Sequence, residues 1–224
     1  MHIGLIVGIG PAATDYYYRY LIFTLAQAGQ DLELTMAHAD TRTLLRNQSE
    51  GNVAAQVEIY RRLTDRLQRA GAEQMAITSI AGHFCIEAYK AVSTLPVVDL
   101  LAVTKREVTR RGLKRVGLLG TRVVMQTQFY GVLDGVEVIP PVSNLLEVHN
   151  AYVSMASTGV ATPEHRQTFM QAGTELTIKH GCESILLAGT DLALVFRRGD
   201  HPGFDVFDCA EAHASAIAAA AMSR

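Results

Sequence analysis

One phrase occurs twice in this chain, and it limits what the chain can fold into. Residues 181–191 read GCESILLAGTD, and residues 71–81 read GAEQMAITSIA. In both, a polar turn precedes a short apolar run, which is typical of a parallel strand covered on both faces. Aligning the phrases sets Ser79 against Gly189, each just past its strand, where open α/β sheets bind their ligands. A chance match of two short strands is the alternative.

A second pair of segments supports a duplication. Residues 2–8 (HIGLIVG) resemble residues 115–121 (RVGLLGT). Each of these segments is the first strand of one half of the chain. We therefore predict an α/β fold of two similar, pseudo-duplicated domains, each a parallel four-stranded-type sheet flanked by helices, facing each other across one cleft. The first domain comprises residues 1–98 plus 207–224, and the second comprises residues 99–206.

Composition is that of an ordinary globular protein. The 224 residues are 49% hydrophobic and 19% charged, with a formal net charge of −2, so nothing favours nucleic acid or an anionic membrane as a partner. No apolar run approaches a membrane span, and the N-terminus enters a strand without a signal-peptide pattern. Cys85, Cys182 and Cys209 form no motif that indicates a disulfide framework or a zinc site. The expectation is a cytoplasmic protein.

The first strand leads into a tight turn that could present backbone N–H groups to an anion. The turn contains Gly10 and Pro11, and Thr14 or Asp15 is expected to cap a helix over residues 16–28. This is not the dinucleotide-binding fingerprint, because the third glycine is missing and a proline stands inside the motif.

The next segment, residues 39–49, is expected to be a loop. Arg42 within it could hold a carboxylate in a bidentate manner, although a solvated surface arginine is the alternative. Apolar periodicity and capping residues predict two long helices, over residues 53–69 and 163–180, with Thr162 as the cap of the second.

Polar residues follow the two repeated strands. Ser79 could donate to a substrate, or it could simply cap a helix. His83 could transfer protons or orient a neighbour, or it could be an ordinary first-turn residue. In the second phrase, Thr190 and Asp191 stand at the equivalent strand end.

With these motifs together, the chain resembles the aspartate/glutamate racemase superfamily in its aspartate racemase branch. GIGPAAT at residues 8–14 resembles the family opening, and the DTRT of residues 40–43 resembles its DRT loop. The most specific match is VGLLGTR at residues 116–122, followed by Phe129 and Tyr130. GVATPEHR at residues 159–166 and FDCAEAH at residues 207–213 fit as well.

The resemblance implies racemisation without cofactor or metal by two cysteines, one from each domain, and commonly a homodimer. This chain departs from that pattern, because Ser79 and Gly189 stand at the two cysteine positions. Serine is a far weaker base than a thiolate, and glycine carries no proton, so two-thiol racemisation is not expected.

Three interpretations remain. The chain is an enzyme with altered chemistry on a small carboxylate or amino acid, such as isomerisation, decarboxylation or elimination; a protein that only binds an acidic amino acid; or a racemase whose cysteines were replaced. In the first, Ser79, His83 and Asp191 are the candidate catalytic residues, with Gly189 at the second cysteine position. The candidate substrate-binding residues are Gly10, Thr14, Arg42, Ile80, Ala81, Thr121, Arg166 and Thr190.

Overall fold

The apolar runs fold into parallel strands in the computed structural model, which describes residues 1–8, 10–196, 199 and 201–223. Ile9, within the predicted anion-binding turn, lies outside the described residues. The chain divides into two compact units, Met1–Val103 with Ala210–Arg224, and Thr104–Cys209. The sequence had set these boundaries at residues 98/99 and 206/207.

Each unit contains one parallel sheet of four strands. The strand order is β2-β1-β3-β4 in the first unit and β6-β5-β7-β8 in the second, so the two sheets have the same topology. The strands are β1 (Ile3–Val7), β2 (Leu34–His38), β3 (Gln74–Ile77), β4 (Val97–Val98), β5 (Arg115–Gly120), β6 (Glu137–Ile139), β7 (Ser184–Ala188) and β8 (Val206–Asp208).

Helices connect and cover these strands. They are α1 (Pro11–Gln27), α2 (Thr41–Ser49), α3 (Val53–Arg69), α4 (Ile86–Lys90), α5 (Leu100–Arg110), α6 (Arg122–Gln126), α7 (Leu145–Thr158), α8 (Pro163–His180) and α9 (Cys209–Met222). Short 3-10 helices follow β3 (Ala81–Cys85), α6 (Phe129–Gly131) and β7 (Thr190–Leu194). Within the described ranges, no helix is long and apolar enough to span a bilayer.

The strand register confirms the predicted duplication. Gly4 of β1 pairs with Met75 of β3, and in the second unit Gly117 pairs with Ile185. The repeated segments align Gly4 with Gly117 and Met75 with Ile185, so the two sheets pair equivalent residues. The predicted fold class, two similar α/β units with four-stranded parallel sheets flanked by helices, is therefore confirmed.

Two features of the repeat have a structural role. A carboxylate before the third strand of each sheet accepts backbone N–H groups where the first strand begins: Glu73 accepts from His2 at 3.0 Å, and Glu183 accepts from Arg115 at 3.0 Å. Gly4 lets Leu67 of α3 approach β1, as Gly117 lets Leu176 of α8 approach β5.

A separate hydrophobic core fills each unit. In the first, residues of β1 pack with one face of α1 and with the alanine-rich face of α9. In the second, residues of β5 and β7 pack with α7 and α8. The largest fully buried side chains include Tyr17 and Tyr60 in the first unit, and Phe129 and Phe169 in the second.

Two predictions near the N-terminus were wrong. Helix α1 begins at Pro11, not at residue 16, because Gly10 serves as the N-cap and Pro11 suits the first helical position. The Thr14 hydroxyl instead bridges the Gly8 N–H and the Gly10 carbonyl, at 3.3 and 3.1 Å. The segment expected to be a loop is helix α2, whose N-cap Asp40 accepts the Thr43 N–H at 2.8 Å.

The predicted helices α3 and α8 have the bounds expected from the sequence. Thr162 and His165 form a reciprocal capping box at the start of α8. The sequence pattern does not predict α4 or α6, which are short and depend on their packing. The alternative in which Ser79 caps a helix corresponds to the 3-10 helix Ala81–Cys85.

Candidate functional site

In the first unit, the strand end after β3 is held in place by neighbouring helices. Ser79 is buried, and its Oγ accepts the N–H of Gly82 at 3.3 Å, which favours the capping role considered for it. The next carbonyls are also bound: Gln48 of α2 donates to the Ala81 carbonyl at 3.0 Å, and Tyr60 of α3 donates to the Gly82 carbonyl at 3.1 Å. The Ser79 hydroxyl hydrogen has no acceptor among these contacts.

His83 follows in the 3-10 helix, and both of its ring nitrogens are engaged by backbone. Nε2 accepts the Leu100 N–H at 3.3 Å, so the proton of the neutral ring lies on Nδ1, which donates to the Ser79 carbonyl at 2.6 Å. Burial lowers the His83 pKa, although Asp99 and the Ser79 carbonyl act in the opposite direction. Neither nitrogen is free to exchange a proton with a ligand, which argues against the proton-transfer role predicted for His83.

A second buried histidine stands beside His83, with ring centroids 6.2 Å apart. His213 donates from Nε2 to the Val98 carbonyl at 2.8 Å and accepts the Tyr17 hydroxyl at 2.9 Å on Nδ1. Burial, and then the neighbouring His83, lower the His213 pKa to about 3. Tyr17 of α1 and the histidine of FDCAEAH therefore have a structural role in the core of the first unit.

The other candidates of the first unit differ in accessibility. Gly10 is buried, Thr14 is half-buried, and Ile80 and Ala81 are buried beside Ser79. Arg42 is exposed on the first turn of α2.

In the second unit, the predicted polar residues gather at the carboxyl ends of β5 and β7. Thr121 directly follows β5 and caps α6, its Oγ1 accepting the Val124 N–H at 3.4 Å. Thr190 and Asp191 open the 3-10 helix after β7, and both are buried. Arg166 is exposed on the first turn of α8.

The position equivalent to Ser79 has no room for a side chain. A Cβ atom added to Gly189 would lie 2.2 Å from Cε2 of Tyr152 and 2.7 Å from its Cζ, so the tyrosine ring occupies that volume. The Tyr152 hydroxyl donates to Asp191 Oδ2 at 3.1 Å and also interacts with Thr190. Burial, and then the Asp191 charge, raise the Tyr152 pKa well above its usual value.

A histidine that the sequence analysis missed lies on the same face of α7. His149 is three residues before Tyr152, and its Nδ1 accepts the backbone N–H of Arg122 at 3.0 Å. It is half-buried, and burial, followed by the charge of Arg122, lowers its pKa. Helix α7 thus brings His149 to the turn after β5 and Tyr152 to the turn after β7. A histidine and a tyrosine spaced three residues apart were the available signal in the sequence.

The three cysteines lie elsewhere. All are buried, and burial raises the pKa of Cys85 to about 12 and of Cys182 to about 11, and raises that of Cys209 further. They are therefore neutral thiols at pH 7, and none stands at the position of Ser79 or Gly189. Across the part of the chain that the structure describes, no three His, Cys, Asp or Glu side chains are grouped to hold a metal ion.

The repeated four-stranded sheet, with buried polar residues following the third strand of each copy, defines a class of duplicated α/β proteins. A model of the Asp/Glu/hydantoin racemase family matches residues 6–217, and the chain belongs to this family. The resemblance inferred from the sequence motifs is thereby confirmed.

Solved structures agree with this assignment. A putative Asp/Glu racemase from Yersinia pestis is 26% identical, with a TM-score of 0.84 over 100% of both chains. An aspartate racemase homologue from Pyrococcus horikoshii OT3 is also 26% identical, with a TM-score of 0.79 over 99% of both chains. An aspartate racemase from Picrophilus torridus, at 19% identity, shares the fold with a TM-score of 0.76 over 100% of this chain and 96% of its own.

Proposed function

We propose that this protein is a cofactor-independent enzyme of the racemase family that acts on a small carboxylate or amino acid without a pair of thiols. One observation carries the proposal: the Tyr152 ring fills the side-chain volume at Gly189, while Ser79 holds the equivalent position in the first unit. The similar proteins named as aspartate racemase homologue and Asp/Glu racemase support an acidic amino acid or a related carboxylate as substrate.

The missing thiols favour chemistry that needs only one proton-transfer step. Racemisation requires a group on each face of the reacting carbon, and Gly189 has no side chain to serve one face. Decarboxylation breaks one C–C bond, leaves its electron pair on the carbon as carbon dioxide departs, and needs one proton, which solvent water supplies, to complete the product. A lyase-type reaction is therefore the preferred form of the proposal, and isomerisation is the next.

The hydrogen bonds support the following proposed residue roles. Ser79 donates its unused hydroxyl hydrogen to a substrate oxygen, and His83 positions Ser79 by binding its carbonyl at 2.6 Å. Asp191, held by Tyr152, contributes a buried acidic group in the second unit. The proposed substrate-binding residues remain Gly10, Thr14, Arg42, Ile80, Ala81, Thr121, Arg166 and Thr190.

A binding protein is the second candidate, and a specific observation favours it. Both nitrogens of His83 are bound to backbone, and the Tyr152 hydroxyl is bound to Asp191, so neither stands ready as a general base. Such a protein would recognise an acidic amino acid without converting it.

For either candidate we propose a homodimer in the cytoplasm. Light scattering would test the oligomeric state, and cell fractionation would test the location.

The experiment is proton NMR in deuterated buffer with aspartate, glutamate, other amino acids, hydroxy acids, maleate and malonates. We expect exchange of an α-proton or a new product with one acid, and loss of that activity in Ser79→Ala but not in the control Ser157→Ala, an exposed serine on α7. A thermal shift with an acid but no turnover would establish the binding protein instead. No shift and no turnover with any acid would overturn the carboxylate assignment.

A further inference from the structure

The histidines of this protein differ in what their ring nitrogens contact. In His83 and His213, both nitrogens are bound inside the core of the first unit. In His149, only Nδ1 has a partner among the described residues, the backbone N–H of Arg122 at 3.0 Å. His149 is half-buried, with Nδ1 bound to backbone and no hydrogen bond at Nε2 to the described residues.

The anchor determines which nitrogen carries the proton. Because Nδ1 accepts a hydrogen bond from a backbone N–H, a neutral ring has its proton on Nε2. A proton on Nδ1 would clash with the Arg122 N–H, which points at the same nitrogen. Burial of the ring also disfavours its charged form. At neutral pH, His149 thus presents Nε2–H as a donor whose direction is fixed by the first turn of α6.

We propose that His149 is a ligand-binding residue whose Nε2–H donates to a carboxylate oxygen of the substrate at the carboxyl edge of the second sheet. The inference rests on the proposed function for the class of ligand. A neutral imidazole donor suits an oxygen that gains negative charge during a reaction, because it stabilises that charge without giving up its proton. The adjacent Thr121, which directly follows β5, would lie at the same end of the bound acid.

Two substitutions distinguish the effect of losing the N–H donor from the effect of losing the ring. His149→Phe keeps a ring of similar size and removes both nitrogens, whereas His149→Gln retains a side-chain N–H donor. His180→Phe is the matched control, since His180 is also half-buried but ends α8 at the amino end of the sheet, just before β7.

The test uses the full chain and the acid that gives the largest thermal shift in the panel above. We expect the Kd for that acid to rise about 10- to 100-fold in His149→Phe, to be partly restored in His149→Gln, and to be unchanged in His180→Phe. Imidazole nitrogen NMR of the wild-type protein should show the Nε2–H tautomer, with that proton moving downfield when the acid is saturating.

Several results would overturn the inference: an unchanged Kd in His149→Phe, an Nδ1–H tautomer, imidazole signals unaffected by the bound acid, or no acid that binds at all. These outcomes differ from failure of the proposed function. Binding through His149 without turnover would reject the proposed enzyme activity and support the role of His149. Turnover with the same KM in His149→Phe would support the enzyme activity and reject the role of His149.

Discussion

At the scale of single residues, packing closes the strand end after β7. Gly189, which the sequence motifs set at the second cysteine position, has no side chain, and the ring of Tyr152 occupies the volume that its Cβ would take. The phenol is then bound to Asp191, so the ring and the carboxylate stabilise each other's position. A side chain at Gly189 therefore requires the ring of Tyr152 to shift.

This exclusion gives a stability prediction. Gly189→Ala should lower the free energy of unfolding by about 1–3 kcal/mol, because its Cβ overlaps a buried ring. In a Tyr152→Phe background the ring remains and the cost should persist, but in a Tyr152→Ala background the cost should largely disappear. Urea unfolding of the wild type, the single variants and the double variants measures the coupling energy between residues 189 and 152. Equal costs of Gly189→Ala in all three backgrounds would contradict the overlap.

A second prediction concerns a left-handed turn after α6. Gln128, Phe129 and Tyr130 have φ angles of 50°, 61° and 58°, and left-handed backbone costs non-glycine residues about 1–2 kcal/mol each. Gln128→Gly should therefore raise the free energy of unfolding by up to about 1 kcal/mol, once the greater freedom of glycine in the unfolded chain is subtracted. Gln126→Gly, at the end of α6, is the control and should destabilise. A loss of stability in Gln128→Gly would refute the strain.

At the scale of elements, the sheet and the helices differ in how far the sequence specifies them. Helix α3 was predictable because its apolar stripe repeats at helical spacing, and α8 because Pro163 and Thr162 mark its start. The roles of His149 and Tyr152 were not predictable, since they depend on α7 packing over strands about 30 to 40 residues away in sequence. The repeat indicated Ser79 as a candidate, but the bonds that engage His83 depend on tertiary contacts with α5.

The repeated glycines allow the helix-to-sheet packing to be tested in both units. A Cβ on Gly117 would lie 2.5 Å from Cδ1 of Ile185 and 3.0 Å from Cδ1 of Leu176, whereas one on Gly4 would lie 2.9 Å from Cδ1 of Leu67, its nearest neighbour. Gly117→Ala should cost about 1–3 kcal/mol and Gly4→Ala less, measured by urea unfolding with circular dichroism as the check on secondary structure. A larger cost at Gly4 than at Gly117 would reverse this ranking.

At the scale of the whole molecule, the duplication has kept the scaffold and changed the strand ends. Both units retain the sheet order, the strand-opening carboxylate and the glycine beneath the covering helix. They differ where chemistry would occur, with a hydroxyl at Ser79 and an occupied volume at Gly189. They also differ in the core, because among the described residues only the first unit buries two histidines, His83 and His213, beside each other.

That buried pair makes the stability of the protein sensitive to mild acid. The pKa values of His83 and His213 are lowered in the folded state, chiefly by burial, and the groups that face the pair are Tyr17, Asp99 and Lys90. Below the ordinary histidine pKa of about 6.5, the unfolded chain therefore binds more protons than the folded chain. The stabilisation is complete above that pH and is lost as the pH falls toward the folded-state values, which for His213 is about 3.

The free energy of unfolding should consequently fall between pH 7.5 and pH 5, by about 2 kcal/mol from His213 alone. The carboxylates contribute little in this window, because Asp99 has a lowered pKa and unfolded aspartates titrate near pH 4. Urea unfolding at several pH values measures the slope, and His213→Asn, which retains a side-chain donor and acceptor, should reduce it. A profile that is flat from pH 7.5 to 5, or a slope unchanged in His213→Asn, would mean that His213 does not remain neutral in the folded core.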